Sequence, residues 1–320
     1  MTLALIQAAG IGKVFHTAKG KKVPAVTGVD LNIQGGEIYG LVGSDSAGKT
    51  TTLRLLVGAL KLDTGSVSIA GFDIQRQTEQ ARAQIGYLSQ RFSLYDDLTV
   101  LENIRFFAEV RGLSPETWRP RCMKILDFVG LLAFKDRRAG QLSGGMRQKL
   151  GLASALVTQP RVLLLDEPTT GVDPLTRQDF WQLILQLIST QENGSMCAVI
   201  STPYMDEAVR CQRIGFMQQG KIVTEGSPGQ LRAALNGRIL EITGSPLPLL
   251  RQIAAKDPEV EDVHAFGNTL HARLRQPQTR AVIERLQQTA AEAGGMIHQA
   301  RSIPATLEDV FISLTAKESK

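Results

Sequence analysis

The alternation of apolar and polar positions predicts an α/β fold for roughly the first 230 residues. Residues 38–42 and 161–165 are almost wholly apolar, as expected of strands that a parallel sheet buries on both faces. A helical pattern follows the first of these runs, and its apolar positions recur every three or four residues at Leu53, Leu56, Val57 and Leu60. Residues 2–6 read as an earlier strand.

A stretch at about residues 91–141 has helical periodicity instead and predicts a helical subdomain. Apolar positions share one face at 101–108 and another at 125–132, and Gly-Leu-Ser-Pro at 112–115 separates the two. Residues 94–100 have two interpretations: a contact surface for a partner, or core and turn residues internal to the subdomain.

The pattern changes again from about residue 235. Strands are predicted at 238–242, 260–263, 269–274 and 296–302, and helices at 249–253, 282–286 and 307–315. Without the last helix, the order is β-α-β-β-α-β, which is typical of a small ferredoxin-like α+β domain. We therefore expect two domains, at 1–234 and 235–320.

The segment between the strand at 38–42 and the next helix carries the most specific chemistry. It fits the pattern G-x-x-x-x-G-K-[ST], in which main-chain amides and a helix N-terminus hold phosphates. Lys49 would reach the β- and γ-phosphates, and the Thr50 hydroxyl would help to hold Mg²⁺. The candidate nucleotide-binding residues are Gly43, Ser44, Asp45, Ser46, Ala47, Gly48, Lys49, Thr50 and Thr51.

Two further motifs indicate ATP hydrolysis. The apolar run at 161–165 ends in Asp166, placed to bind Mg²⁺ through water, and Glu167, placed to polarise an attacking water. Upstream, Ser143 can cap a helix whose first residues are Gly144 and Gly145. The uncovered amides at that helix start would form a second anion site.

Together these motifs resemble the ATP-binding cassette family over roughly the first 230 residues, which implies its phosphate-loop fold of a mixed sheet and a helical subdomain. The resemblance makes Gln90 the glutamine that links Mg²⁺ and the attacking water to the transporter. It makes 171–174 an aspartate loop at a dimer interface, and Phe15 an adenine-stacking residue unless it is plain core. In this family two cassettes pair head to tail, so that Ser143, Gly144 and Gly145 of one cassette complete the other's ATP site.

The sequence departs from the family at Pro203, where a histidine usually contacts the γ-phosphate and the attacking water. Proline has neither a side-chain donor nor an N–H, so this catalytic contact is expected to be lost. Locally, Thr202 suits a helix N-cap and Pro203 the first helical position. Asp45 is a milder departure, interpreted as a solvated acid at the loop tip. The resemblance then implies that this chain's own site binds ATP but hydrolyses it slowly. It also implies that the chain pairs with a second cassette that keeps its histidine.

The tail at 305–311 is similar to that of daunorubicin-resistance-type ATPases, which serve ABC-2 exporters. The chain also resembles the first cassette of multidrug export ATPases that carry two cassettes in one chain. This implies ATP-driven efflux, ABC-2 membrane permease partners that contact the helical subdomain, and a second cassette in a homodimer or, preferably, a heterodimer. A nearly inactive regulatory subunit and an ATPase of another ABC transporter class remain alternatives, as does a half of a longer chain.

Composition limits the binding partners and the cellular location that the chain suits. The chain has 320 residues, 43% of them hydrophobic, and a net charge of +5 that suits nucleotides, an anionic membrane surface or a merely solvated surface. Cys122, Cys197 and Cys211 lack metal-ligand spacing and predict reduced thiols. No apolar run approaches the ~20 residues of a membrane span. We expect a cytosolic protein at the cytoplasmic face of the membrane, with no nucleic-acid partner.

Overall fold

A computed structural model describes residues 4–18, 20–90, 94–190 and 195–317. The chain forms two compact units, Met1–Glu225 and Gly226–Lys320. The first unit ends at Glu225 rather than at residue 234, because the helix Pro228–Ala233 contacts the C-terminal helix Leu307–Lys317 and so belongs to the second unit. Residues 2–3 of the predicted first strand and residues 91–93 of the predicted helical subdomain lie outside the described part of the chain.

The first unit is built on a six-stranded sheet of order β10-β9-β3-β8-β7-β6. Neighbours from β9 to β6 pair in parallel, so their carboxyl ends lie at one edge of the sheet. β3 and β7 are buried at every position, as their apolar sequences predict. The six strands are β3 (Ile38–Val42), β6 (Ile85–Leu88), β7 (Val162–Asp166), β8 (Cys197–Thr202), β9 (Arg213–Gln218) and β10 (Lys221–Gly226).

A second, antiparallel sheet has the order β2-β1-β4-β5. Its inward side chains share one hydrophobic core with β3, β7, β8 and the helix that follows β3. The strands are β1 (Ala4–His16), β2 (Lys22–Gln34), β4 (Thr64–Ile69) and β5 (Phe72–Asp73). The helices of this first unit outside the helical subdomain are α1 (Lys49–Leu56), α2 (Thr78–Ala83), α6 (Pro174–Ser189) and α7 (Met205–Ala208).

The predicted helical subdomain is confirmed where it is described. Its helices α3 (Val100–Val110) and α4 (Pro115–Phe128) pack with α5 (Gly144–Leu156) around a separate apolar core, and short 3₁₀ turns follow at Leu132–Phe134 and Ala139–Gln141. A capping box of Thr99 and Glu102 starts α3, because each side chain accepts a hydrogen bond from the other residue's backbone N–H.

The second unit confirms the predicted β-α-β-β-α-β order. Its antiparallel sheet has the order β12-β13-β11-β14, the ferredoxin-like arrangement, and α9 and α10 share an apolar core with that sheet. The elements are α8 (Pro228–Ala233), β11 (Ile239–Ser245), α9 (Leu247–Lys256), β12 (Val260–Phe266), β13 (Thr269–Leu274), α10 (Thr279–Glu292), β14 (Met296–Ile303) and α11 (Leu307–Lys317).

The three cysteines are free and buried. Burial raises the pKa of the Cys122 thiol to about 11 and those of Cys197 and Cys211 to about 12. None of the helices within the described residues combines the length and apolar character that a membrane span needs.

Candidate nucleotide-binding and hydrolysis site

The glycine-rich segment runs from the carboxyl end of β3 into α1. At two of its glycines the backbone passes so close to neighbouring atoms that a side chain would not fit. A Cβ on Gly43 would lie 2.2 Å from the carbonyl oxygen of Met217. Gly48 has φ of +110°, and a Cβ there would lie 2.5 Å from the carbonyl oxygen of Ala25. Glycine is therefore required at both positions for the loop to form.

Lys49 is buried at the start of α1, and its ammonium group is held inside the loop. Nζ donates to the carbonyl oxygens of Gly43 at 2.9 Å and Ser44 at 3.0 Å, and lies 3.3 Å from Oε1 of Glu167. This fixed positive charge lies between the loop and the acid that follows β7. It is placed to attract phosphate oxygens.

Thr50 and Asp166 meet at the carboxyl edge of the parallel sheet. The Thr50 hydroxyl donates to Oδ1 of Asp166 at 3.0 Å, and the hydroxyl of Ser201 donates to the same oxygen at 2.7 Å. The second oxygen, Oδ2, is buried and has no hydrogen-bond partner among the described residues. A buried carboxylate oxygen without a partner, beside a threonine hydroxyl, suits a hard cation such as Mg²⁺.

Glu167 has a left-handed backbone, with φ of +47°, which is unusual for a residue other than glycine. Its N–H donates to Ser201 at both Oγ (2.9 Å) and the carbonyl oxygen (3.1 Å), which holds this conformation. Its carboxylate accepts from Nε2 of Gln90 at 2.8 Å and, more weakly, from the Thr170 hydroxyl at 3.4 Å. Strained backbone at a carboxylate is typical of functional sites.

Lys49, Thr50, Gln90 and Glu167 line an open cavity of about 440 Å³, whereas Asp166 and Ser201 are fully buried behind it. Phe15 lies on its wall with 41% of the residue exposed, so the plain-core interpretation of this side chain is wrong. Asp45 is exposed and has no ion-pair partner in the described ranges, as expected of a solvated loop-tip acid. The residues that line the cavity are Phe15, Ala25, Asp45, Ser46, Gly48, Lys49, Thr50, Thr51, Gln90 and Glu167.

The second predicted anion site lies elsewhere. Ser143 caps α5 as predicted, since its side chain accepts from the N–H of Met146 at 3.3 Å. A Cβ on Gly145 would lie 2.1 Å from Cγ2 of Thr176 on α6, so this helix start packs tightly against the segment after the aspartate loop. Ser143, Gly144 and Gly145 do not line the cavity around Lys49. The structure therefore leaves this helix start outside the chain's own phosphate-loop site.

The corner that carries Pro203 differs from the local prediction. Tyr204, not Thr202, precedes the helix, and α7 begins at Met205, so Pro203 lies in the turn before it. The Thr202 hydroxyl does accept from the N–H of Tyr204 at 3.0 Å, as a capping residue would, and it also donates to Glu207 at 2.7 Å. The helix starts later because Tyr204 has an extended backbone, with φ of −95° and ψ of 123°. Pro203 offers only carbon atoms and one carbonyl oxygen at this corner.

Sequence reasoning missed Ser201, which is fully buried and contacts both acids of the site. Ser201 lies opposite Asp166 in the parallel register of β7 and β8. The available signal was the pair of hydroxyl residues that ends the apolar strand Cys197–Thr202, at the sheet edge where ligands collect.

A phosphate loop after a buried strand, a lysine inside it, and two acids at the end of a neighbouring parallel strand define a phosphate-loop nucleoside triphosphatase. The family model described as "ABC transporter" matches residues 26–170. The chain is 35% identical over 297 residues to the Nod factor export ATP-binding protein I of Ralstonia nicotianae, covering 92% of this chain and 90% of that one. The chain belongs to the ATP-binding cassette family of transporter ATPases.

Other similarities agree. The chain is 40% identical over 282 residues to the probable multidrug ABC transporter ATP-binding protein YbhF of Escherichia coli, which covers 87% of this chain. It spans about half of that relative, 47% of its length. The fold is also similar to a solved dimeric structure of the ATP-binding cassette MJ0796 bound to ADP and Pi, with a TM-score of 0.62 and 27% sequence identity. The match covers 69% of this chain and 98% of the MJ0796 chain.

Proposed function

We propose that this chain is the ATP-binding subunit of an ABC-2 type exporter, acting at the cytoplasmic face of the membrane, and that Pro203 weakens hydrolysis at its own site. The observation that carries the ATPase part is the cavity in which Lys49, Gln90 and Glu167 converge within hydrogen-bonding or ion-pair distance. The names of the relatives, a multidrug transporter protein and Nod factor export proteins, support export.

Each step of hydrolysis has a candidate group. Main-chain amides of the loop and the Lys49 ammonium would bind the β- and γ-phosphates, and the exposed ring of Phe15 would stack on adenine. Thr50 and Asp166 would hold Mg²⁺, which when bound offsets phosphate charge. Glu167 would accept a proton from the attacking water, and Gln90, already bonded to that carboxylate, would orient it.

Pro203 accounts for a slow site. It occupies the corner next to Ser201 and Thr202, where an imidazole would supply a donor to the γ-phosphate. Loss of one fixed transition-state contact costs on the order of 10²–10³ in turnover, a range measured for other donors. We expect ATP binding to persist, because it depends on the loop and on Lys49, Thr50 and Asp166, and not on a donor at position 203.

A second cassette would complete the machine. The helix start at Ser143, Gly144 and Gly145 is intact but lies away from this chain's own cavity, which supports a role at the site of a partner cassette. We favour a heterodimer, because a partner with the usual histidine would provide the turnover that this site lacks. The partner cassette belongs to a second chain or to another part of a longer one.

The helical subdomain offers a surface for the membrane permease. Leu94 and Phe107 line a depression of about 280 Å³ between β6, α3 and α5, with Arg111 at its edge. Next to it, the half-exposed ring of Tyr95 packs edge-on against Phe106 at 4.6 Å. Asn103 fixes the turn that carries Tyr95 by bonding its N–H and its carbonyl oxygen. Such a rigid, partly apolar depression suits a short helix of a permease.

The decisive experiment compares ATP turnover of the purified chain, alone and with a candidate partner cassette, for the wild type, Pro203→His and Pro203→Ala. We expect slow turnover of the wild type alone, a rise of roughly 10²–10³ for Pro203→His, and no rise for Pro203→Ala, which removes the ring without adding a donor. Wild-type turnover at ordinary cassette rates would refute the weakened site. Failure to bind Mg-ATP would refute the whole proposal.

The same proline favours one alternative, a regulatory subunit that binds ATP without hydrolysing it. Under that alternative, nucleotide drives pairing with the partner cassette, yet neither the pair nor the Pro203→His variant turns over. An accelerated Pro203→His variant would rule it out.

A further inference from the structure

The carboxylate of Glu207 is buried behind the hydrolysis site although no predicted role uses it. Only 1% of the residue is exposed. Oε1 accepts from the Thr169 hydroxyl at 2.5 Å, and Oε2 accepts from the Thr202 hydroxyl at 2.7 Å. Both oxygens are therefore bonded, each to a different segment of the chain.

The charge of this carboxylate is partly balanced by Arg177 on α6. Nε of Arg177 lies 3.7 Å from Oε1 of Glu207, and the guanidinium group lies 4.6 Å from the centre of the Tyr204 ring. Buried carboxylates are costly unless they are paired and hydrogen-bonded. Glu207 has hydrogen bonds from two hydroxyls and a guanidinium group nearby, so the surroundings of this buried side chain are polar.

The two bonded threonines lie beside the catalytic groups. Thr169 stands two residues after Glu167 and leads into the aspartate loop at 171–174. Thr202 follows Ser201, whose backbone and hydroxyl hold the N–H of Glu167. One buried carboxylate thus joins the segment after Glu167 to the strand end that supports Glu167.

We propose that Glu207 is a positioning residue for ATP hydrolysis. Through Thr169 and Thr202 it fixes the position of Glu167 relative to the aspartate loop. The proposal rests on the ATPase activity of the family and not on the effect of Pro203.

The test replaces each side of the contact. Thr169→Val removes the hydroxyl at nearly constant volume, and Thr169→Ser keeps it. Glu207→Gln replaces the carboxylate with an amide and removes one acceptor. Asp206→Asn is the matched control, because that neighbouring carboxylate is exposed and, within the described residues, pairs with Arg177 alone, at 3.5 Å. We expect turnover to fall roughly 10- to 100-fold in Thr169→Val and Glu207→Gln, with the Kd for Mg-ATP little changed. The Tm should fall in both variants, because each leaves a buried polar group without its hydrogen-bond partner. Thr169→Ser and Asp206→Asn should keep turnover.

Turnover is compared within the wild-type background and within the Pro203→His background, so that the outcome does not depend on how fast either hydrolyses. Unchanged turnover in Thr169→Val and Glu207→Gln would overturn the proposal. Equal losses of turnover and Mg-ATP affinity would overturn it too, since they would mean that Glu207 only stabilises the fold of the site. If both backgrounds are too slow to measure, amide exchange in the 167–174 segment decides: unchanged exchange in Glu207→Gln refutes the proposal.

Discussion

Ser201→Ala offers a sharp test of the proposal that Thr50 and Asp166 hold Mg²⁺. The Ser201 hydroxyl donates to Oδ1 of Asp166 at 2.7 Å and accepts from the N–H of Glu167 at 2.9 Å. Alanine removes both contacts without adding bulk. The N–H of Glu167 keeps one acceptor, the carbonyl oxygen at position 201, 3.1 Å away. The main expected loss is therefore the orientation of Asp166.

The magnitude follows from the lost contact. A hydrogen bond to a charged group contributes about 1.5–3 kcal/mol, which corresponds to a factor of roughly 10–150 in an equilibrium constant. Partners that orient a metal ligand typically change metal affinity by about 10–100-fold. The half-saturating Mg²⁺ concentration for ATP binding should therefore rise at least about tenfold in Ser201→Ala.

The assay is a Mg²⁺ titration of fluorescent ATP-analogue binding to the full chain, which needs no turnover. Ser154→Ala is the matched control, because that serine is also buried and its hydroxyl donates to the carbonyl oxygen of Leu150 within α5. Binding in excess EDTA should be the same for all variants. If Ser201→Ala required no more Mg²⁺ than Ser154→Ala, the assignment of Asp166 as a metal ligand oriented by Ser201 would be refuted.

Three further predictions concern other parts of the molecule. Glu167→Gln should lower the rate of single-turnover hydrolysis by at least about 100-fold. ATP binding should not weaken, because the Lys49 ammonium group loses its ion pair with Glu167 and is free to bind phosphate. Retained turnover would exclude Glu167 as the base that accepts a proton from the attacking water. Gly145→Ala should lower the free energy of unfolding in urea by about 1–3 kcal/mol through its clash with α6, whereas Gly144→Ala, with open space around it, should stay near wild type; equal effects would contradict the packing. Burial raises the pKa of Asp309, but hydrogen bonds, the largest from His271, hold it below its ordinary value. This carboxylate therefore stabilises the second unit above about pH 4 and loses that effect as pH falls through its folded pKa. The protection factors of the β13 amides, which correct for the intrinsic pH dependence of exchange, should vary less between pH 2 and 6 in Asp309→Asn than in the wild type. An unchanged profile would refute the contribution of Asp309.

The phosphate-loop site was predictable because its determinants are local. A buried strand, glycines at fixed spacing and a lysine at a helix start lie within one short segment, and Gly43 and Gly48 have no alternative in so close a backbone. The ferredoxin-like order was predictable for a similar reason, since each element shows its own periodicity.

Contacts that depend on register could not be predicted. Ser201 becomes important only because β7 and β8 pair so that it lies opposite Asp166. The local signals at Thr202 and Pro203 pointed to a helix start, but the helix begins at Met205, because the backbone of Tyr204 is extended.

The burial of the three native thiols has a practical consequence for following this protein at work. Thiol reagents attack the thiolate, so groups with pKa values of about 11 and 12 react very slowly at neutral pH. A cysteine introduced at the exposed position of Tyr95 would be the fast-reacting one in an otherwise wild-type background. A maleimide dye attached there would report on binding of the proposed permease without first removing the natural cysteines.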